Sequence, residues 1–221
     1  MEHTEILKDI WNSTVSPGDT DEFQISDQLW RTKLGFQSAN PLTDFRGGGL
    51  LSLEVLHHFC NSSLGQKLLT TCQERRAKAI RVNDDLGLPV FTSYPIAPAI
   101  IGMVRYVSFL FKICTEHGIK TKLEDIGESE MFRLLLLDHD NEKNVLEGDE
   151  IFQSSFSSVG LDNNFSSWVV EGMIILDQVW IEMEATYMEF PTVMTETKEL
   201  LRERMVTRGR EIVDMENEGR E

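Results

Sequence analysis

The chain has 221 residues, 37 of them acidic and 21 basic, for a formal net charge of −16. That length suits one domain with a substantial core, and a field of that sign repels phosphate backbones and anionic lipid head groups. Nucleic acid is therefore not the expected partner, and the three cysteines (Cys60, Cys72 and Cys114) read as reduced thiols of a cytoplasmic protein rather than a disulfide framework.

The N-terminus, MEHTEILKDIW, has no apolar signal-peptide core. No Gly follows Met1, and no prenylation Cys lies near the C-terminus, so lipid anchoring is not expected. Apolar spacing predicts a short helix from Thr4 to Asn12, with Ile6, Leu7, Ile10 and Trp11 on one side. The stretch SPGDTDE breaks it. A second helix is expected from Asp21 to about Lys33, turning Phe23, Leu29 and Trp30 inward. An elbow follows, punctuated by Gly35, Asn40, Pro41, Asp44, Gly47, Gly48 and Gly49, with Arg46 in its middle. Beyond it, Leu50, Leu53, Leu56 and Phe59 recur at helical spacing, which predicts a helix from Gly49 to about Cys60. Another is expected from Ser63 to about Ile80, and then a turn-rich loop, VNDDLGLPVFTSYP.

The most apolar stretch runs from Ile96 to Cys114. Arg105 and Lys112 interrupt it, and they share one helical stripe with Gly102 and Ser108. This pattern suits the central helix of a soluble domain better than a membrane span, with Pro98 in its first turn. MFRLLLLD, from Met131 to Asp138, reads equally as strand or helix, and an acidic loop comes after it. A long helix is expected from about Asn163 to Met188, with Trp168, Ile175, Trp180 and Met183 among its apolar residues. Pro191 ends or kinks it, a last helix runs from Thr192 to about Arg208, and the tail to Glu221 is expected to fray. The fold class is all-α, an irregular multi-helix single domain.

Several elbow residues have local jobs. Pro41 fixes its own backbone and biases Asn40 away from helix. Thr43 and Asp44 are acceptors for free N–H groups at the start of the next element. The glycines permit positive φ or close backbone approach. None of this needs an arginine, and a helix start disfavours a cation. From the spacing alone, Arg46 reads as an ion-pair partner of Asp44 that holds the elbow. Gln37 has two readings, a partner contact or a cap on the preceding helix end. Trp30, Phe36, Leu53 and Leu56 read as core.

Metal chemistry has little support. The adjacent His57 and His58 point to different helix faces, and no second ligand pair stands at suitable spacing around Cys60. Asp138 to Asp149 begins like a calcium loop but has Lys143 at the turn-glycine position and Asp149 in place of a bidentate Glu. There is no GxxxxGK[ST] and no local Ser-His-Asp motif. No cofactor is expected.

The segment WRTKLGFQSANPLTDFRGGGLLSLEVLHHF, Trp30 to Phe59, resembles the ELMO-domain family. Trp30, Leu34, Gly35, Phe36, Gln37, Pro41, Thr43, Asp44, Arg46, Gly49, Leu53 and Leu56 fall at the family's spacing. Leu34 stands where Ile or Val is usual. The similarity continues through YPIAPAIIGMV and WIEMEATYMEFPTV. The resemblance covers roughly Trp30 to Met205, and with the helix pattern it gives an expected domain from residue 21 to 208, after an N-terminal extension (1–20) with a short helix and before a flexible acidic tail (209–221). It also implies a GTPase activator acting on a partner rather than a stand-alone enzyme. The partner would be an Arf or Arf-like small GTPase in its GTP form, met in the cytoplasm or recruited with it to a membrane. Arg46 would be the catalytic arginine finger, with Gln37, Thr43 and Asp44 binding the partner or orienting the loop. An alternative is a non-catalytic adaptor of a Dock-type Rac exchange factor. The chain's length and the lack of a proline-rich tail count against it. A third reading is a structural protein-binding module.

Overall fold

The computed structural model describes residues 3–15, 22–47, 49–86, 93–111 and 163–218. Every regular element among them is helical, so the all-α reading holds. Helix α1 (His3–Thr14) buries Ile6, Leu7, Ile10 and Trp11 along one face, against α3 (Gly49–Asn61). These four side chains belong to the hydrophobic core.

Helix α2 spans only Gln28–Leu34. The helix expected from Asp21 starts late because Asp27 stops it. The Asp27 backbone is extended (φ −147°), its carboxylate accepts from Leu29 N at 2.7 Å, and its own N–H donates to Ala39 O at 3.0 Å. A side chain that bonds the backbone locally competes with helix, and a partner across the elbow settles the competition. Residues 22–26 instead wrap irregularly, and Trp30 Nε1 donates to Gln24 O at 3.0 Å.

The remaining helices are α4 (Ser63–Leu86), α5 (Ile96–Leu110), α6 (Asn163–Glu182) and α7 (Phe190–Glu218). Helix α4 continues past Ile80 into the expected loop. Helix α5 is central and touches α3, α6 and α7. It runs antiparallel to α6: the Tyr94 and Trp180 rings lie 5.5 Å apart at one end, and those of Phe111 and Phe165 6.1 Å apart at the other. Of the expected polar stripe, Arg105 is exposed but Ser108 is buried, so α5 buries most of its circumference. Lys112 lies outside the described residues, as do the Met131–Asp138 segment and the acidic loop. No helix among the described residues is long and apolar enough to cross a membrane.

The expected long helix to Met188 is in fact two elements. Helix α6 ends at Glu182, and the chain turns through Glu184, the one non-glycine residue with positive φ (47°) among those described. A 3₁₀ turn (Tyr187–Glu189) follows, closed by a capping box between Thr186 and Glu189. Met183 is therefore exposed at the turn rather than in the core. Pro191 starts a helix instead of ending one, because the first turn of α7 needs no N–H from it. Helix α7 runs to Glu218, well past Arg208: Gly209 is buried and Ile212 packs half-buried on the core, which extends the helix through the expected frayed tail.

One polar network crosses the interior. Asp177 on α6 accepts from Arg75 Nη2 at 2.6 Å and from the Tyr94 hydroxyl at 3.1 Å. Burial, followed by the Cys72 and Asp177 neighbours, pushes the Tyr94 phenol well above its ordinary range.

Candidate functional site

The elbow lies between α2 and α3. Its entry is Gly35, the αL cap of α2 (φ +76°), whose N–H donates to Arg31 O at 3.0 Å. A side chain there has no room: an added Cβ would lie 2.7 Å from Pro95 Cα. Close approach occurs at Gly35, where the elbow's base meets the start of α5. Gly49 has φ +59° with nothing within 4 Å of an added Cβ, and Gly48 lies outside the described residues.

Past Gly35, Phe36 turns inward, and Pro41–Gly47 forms a 3₁₀ turn. Phe45 anchors that turn. It is 7% exposed, and its ring lies 5.7 Å from Phe36, extending an aromatic run from Trp11 through Trp30 and Phe36. With Phe45 pointing in, its neighbour Arg46 is exposed.

The side chains of Ser38, Asn40, Thr43 and Asp44 are spent on the loop itself. Asp44 Oδ2 accepts from Gln37 N at 2.8 Å, and its Oδ1 lies 3.2 Å from the Thr43 hydroxyl. That hydroxyl is also 2.9 Å from Asn40 O and 2.8 Å from Ser38 Oγ. Asn40 Oδ1 accepts from Leu42 N at 3.1 Å. Asp44 is thus the brace between the two limbs of the elbow. The expected Asp44–Arg46 ion pair is absent: the carboxylate is turned back toward Gln37, seven residues earlier. Among the described residues Arg46 makes no hydrogen bond or ion pair. Gln37 does not cap α2 through its amide. Gly35 does that, and Gln37 is exposed, contributing its backbone N–H to Asp44.

Two neighbours escaped sequence reasoning. Leu42 is 42% exposed, and Leu50, expected on the apolar stripe of α3, is 41% exposed. They stand on either side of Arg46 in the chain. Between Phe36 and Leu50 the only charged residues are Asp44 and Arg46. The surface signal available for Leu50 was its place in the first turn, ahead of the buried Ser52, Leu53, Val55 and Leu56.

The other candidates divide as follows. His57 lies 3.5 Å from Asp9, while His58 faces the interior. Burial holds the His57 imidazole below its usual range, against the pull of Asp9. Cys60 is fully buried, which pushes its thiol far up and keeps it protonated.

The elbow motif lies inside the stretch that comparison with known proteins matches. The sequence model of the ELMO/CED-12 family matches residues 1–194, and the chain belongs to that family. The chain is 28% identical over 204 residues to ELMO domain-containing protein C of Dictyostelium discoideum, covering 91% of this chain and 26% of that protein. It is 24% identical over 218 residues to ELMO domain-containing protein A of the same organism, covering 90% of this chain and 18% of that protein. The chain thus spans about a quarter or less of the length of these relatives. No solved structure matches it.

Proposed function

We propose that this domain is a GTPase-activating protein for an Arf-family small GTPase, with Arg46 as its finger. The observation that carries the reading is the division of labour in the elbow. Asp44, Thr43, Asn40 and the Gln37 backbone N–H are engaged within the elbow, and Arg46 is its exposed cation, with no hydrogen bond or ion pair among the described residues. A guanidinium held this way has its donors available to an incoming group. It complements charge spread over phosphoryl oxygens, and in trans such an arginine contributes about 10³–10⁵ in rate. Leu42 and Leu50 offer apolar contact beside it. The partner supplies its own magnesium and its own water-positioning residue. The reaction takes place in the cytoplasm or on a membrane to which the GTPase brings this domain.

The test is GTP hydrolysis by a panel of Arf and Arf-like GTPases, with Rac nucleotide exchange measured alongside. Lysine at position 46 keeps a charge but loses the planar fork. Arg46→Lys should lower stimulation at least about tenfold, a barrier increase of about 1.4 kcal/mol, with thermal unfolding nearly unchanged. Binding to the GTP form should fall less than the rate does. Stimulation equal to the parent's overturns the finger. Stimulated Rac exchange without GTP hydrolysis replaces this reading with the adaptor.

A further inference from the structure

The corner between α6 and α7 has a use that the elbow does not account for. Met188 is 84% exposed, Ile181 56%, Tyr187 47% and Met183 40%. Single exposed apolar residues are ordinary, but a contiguous group of large ones marks a contact surface. The corner is not a loose loop. Ala185 is buried and its N–H donates to Trp180 O at 3.0 Å. Glu189 Oε2 accepts from Thr186 N at 2.8 Å and lies 3.0 Å from the Thr186 hydroxyl. Val193, in the first turn of α7, is fully buried. Apolar side chains presented on a braced backbone lose little freedom on binding.

Two further observations say what covers it. First, residues 181–189 carry Glu182, Glu184 and Glu189 and no cation. Such a surface is complementary to apolar side chains ringed by lysine or arginine. It repels an anionic membrane, and isologous pairing with a second copy would set these carboxylates against themselves. Second, the corner and the elbow rest on the same end of α5. The elbow enters through Gly35, packed on Pro95, and the corner leaves from the last turn of α6, where Trp180 meets Tyr94 at 5.5 Å.

We propose that the α6–α7 corner is a second contact surface for the partner that receives Arg46, and that it binds a basic-rimmed apolar face of that protein. The proposal rests on the GTPase reading above and divides the work: the corner supplies affinity, and Arg46 supplies rate.

The experiment compares the parent, Met188→Asp, Glu182→Lys and Arg46→Lys. The readouts are the Kd for the GTP-loaded panel member that binds tightest and the hydrolysis rate at saturating activator. Position 188 is open to solvent, and a lysine at 182 ends a helix where the dipole favours it, so both corner variants should fold. Met188→Asp is expected to weaken binding at least about tenfold, and Glu182→Lys several-fold with a larger effect at low salt. In both, the saturated rate should stay within about twofold of the parent. Arg46→Lys is expected to show the reverse pattern. If both corner variants bind as the parent does while Arg46→Lys loses rate, the corner is refuted and the finger stands. If the corner variants lose binding while Arg46→Lys stimulates fully, the corner stands and the finger is refuted. A parent that dimerises through this corner in sedimentation, or that binds no panel member, overturns the corner assignment.

Discussion

Gly35→Ala probes the joint on which the elbow turns. Two costs add at this position. A non-glycine residue at φ +76° meets the left-handed penalty, about 1–2 kcal/mol. The new methyl also lies 2.7 Å from Pro95 Cα and 2.8 Å from Pro95 Cβ, where carbon atoms ordinarily keep about 3.5–4.0 Å. Overpacking of this kind costs about 1–3 kcal/mol more. Gly49→Ala is the matched control: φ is +59° and nothing lies within 4 Å of the added carbon. It bears the conformational penalty alone, partly offset by about 0.4–1 kcal/mol from a stiffer unfolded chain. Urea unfolding should therefore place Gly35→Ala below Gly49→Ala by about 1–3 kcal/mol. The relief available to Gly35→Ala is a shift of the elbow away from α5, which carries Arg46 with it. A displacement of about 1 Å is enough to cost on the order of 10²-fold in rate, so stimulation by folded Gly35→Ala should fall steeply. Equal stability of the two variants would refute the close contact as the elbow's support. Full stimulation by a destabilised Gly35→Ala would show that the elbow's seat on α5 does not position Arg46.

Asp44→Ala removes the acceptor of the Gln37 N–H and should cost about 1.5 kcal/mol in urea unfolding, with a loss of stimulation larger than the loss of binding. Asp177→Ala takes the carboxylate from both Arg75 and Tyr94, and should cost about 3 kcal/mol, the lower end for a broken buried pair, with Kd for the partner unchanged. His57 accepts a proton less readily folded than unfolded, so the unfolded state binds more protons near and below its ordinary pKa of about 6.5. Its contribution to stability is therefore complete above that pH and is lost as pH falls, and His57→Gln should flatten the slope between pH 7 and 5 in thermal unfolding. Burial raises the Glu54 carboxyl, which gives the opposite sign, so Glu54→Gln should steepen the same slope.

The helical core was legible wherever a residue's fate depends on its own neighbours at three or four positions. Trp30, Phe36, Leu53 and Leu56 are buried as their spacing requires, and α5 is central as its apolar run requires. The elbow was legible as a place, through its turn residues and the family spacing around Arg46. Its wiring was not. Spacing puts Asp44 two residues from Arg46, yet its short carboxylate satisfies a backbone N–H seven residues back rather than the long, hydrated side chain nearby. The start of α2 was misjudged for a related reason: Ala39 O, on the far limb, decides where Asp27 stops the helix. The α6–α7 corner hid behind continuing periodicity. Met183 keeps the register of the helix, and only the αL residue Glu184 and the Thr186–Glu189 box end it.

These departures share a direction, and it bears on Arg46. Ser38, Asn40, Thr43 and Asp44 proved to be bonded within the elbow, while Arg46 was left exposed. Arg46 closes the last turn of Pro41–Gly47, yet it also stands three residues before the start of α3, whose dipole disfavours a nearby cation by about 0.3–1 kcal/mol. No ion pair among the described residues offsets it. An anion entering between Arg46 and the first N–H groups of α3 would reverse the sign, since the guanidinium and the helix end would then both attract it. The elbow holds Arg46 at a small cost in stability, which the arrival of a negative group such as a γ-phosphate would remove. On the proposed reading, the elbow is completed by that group when the partner docks.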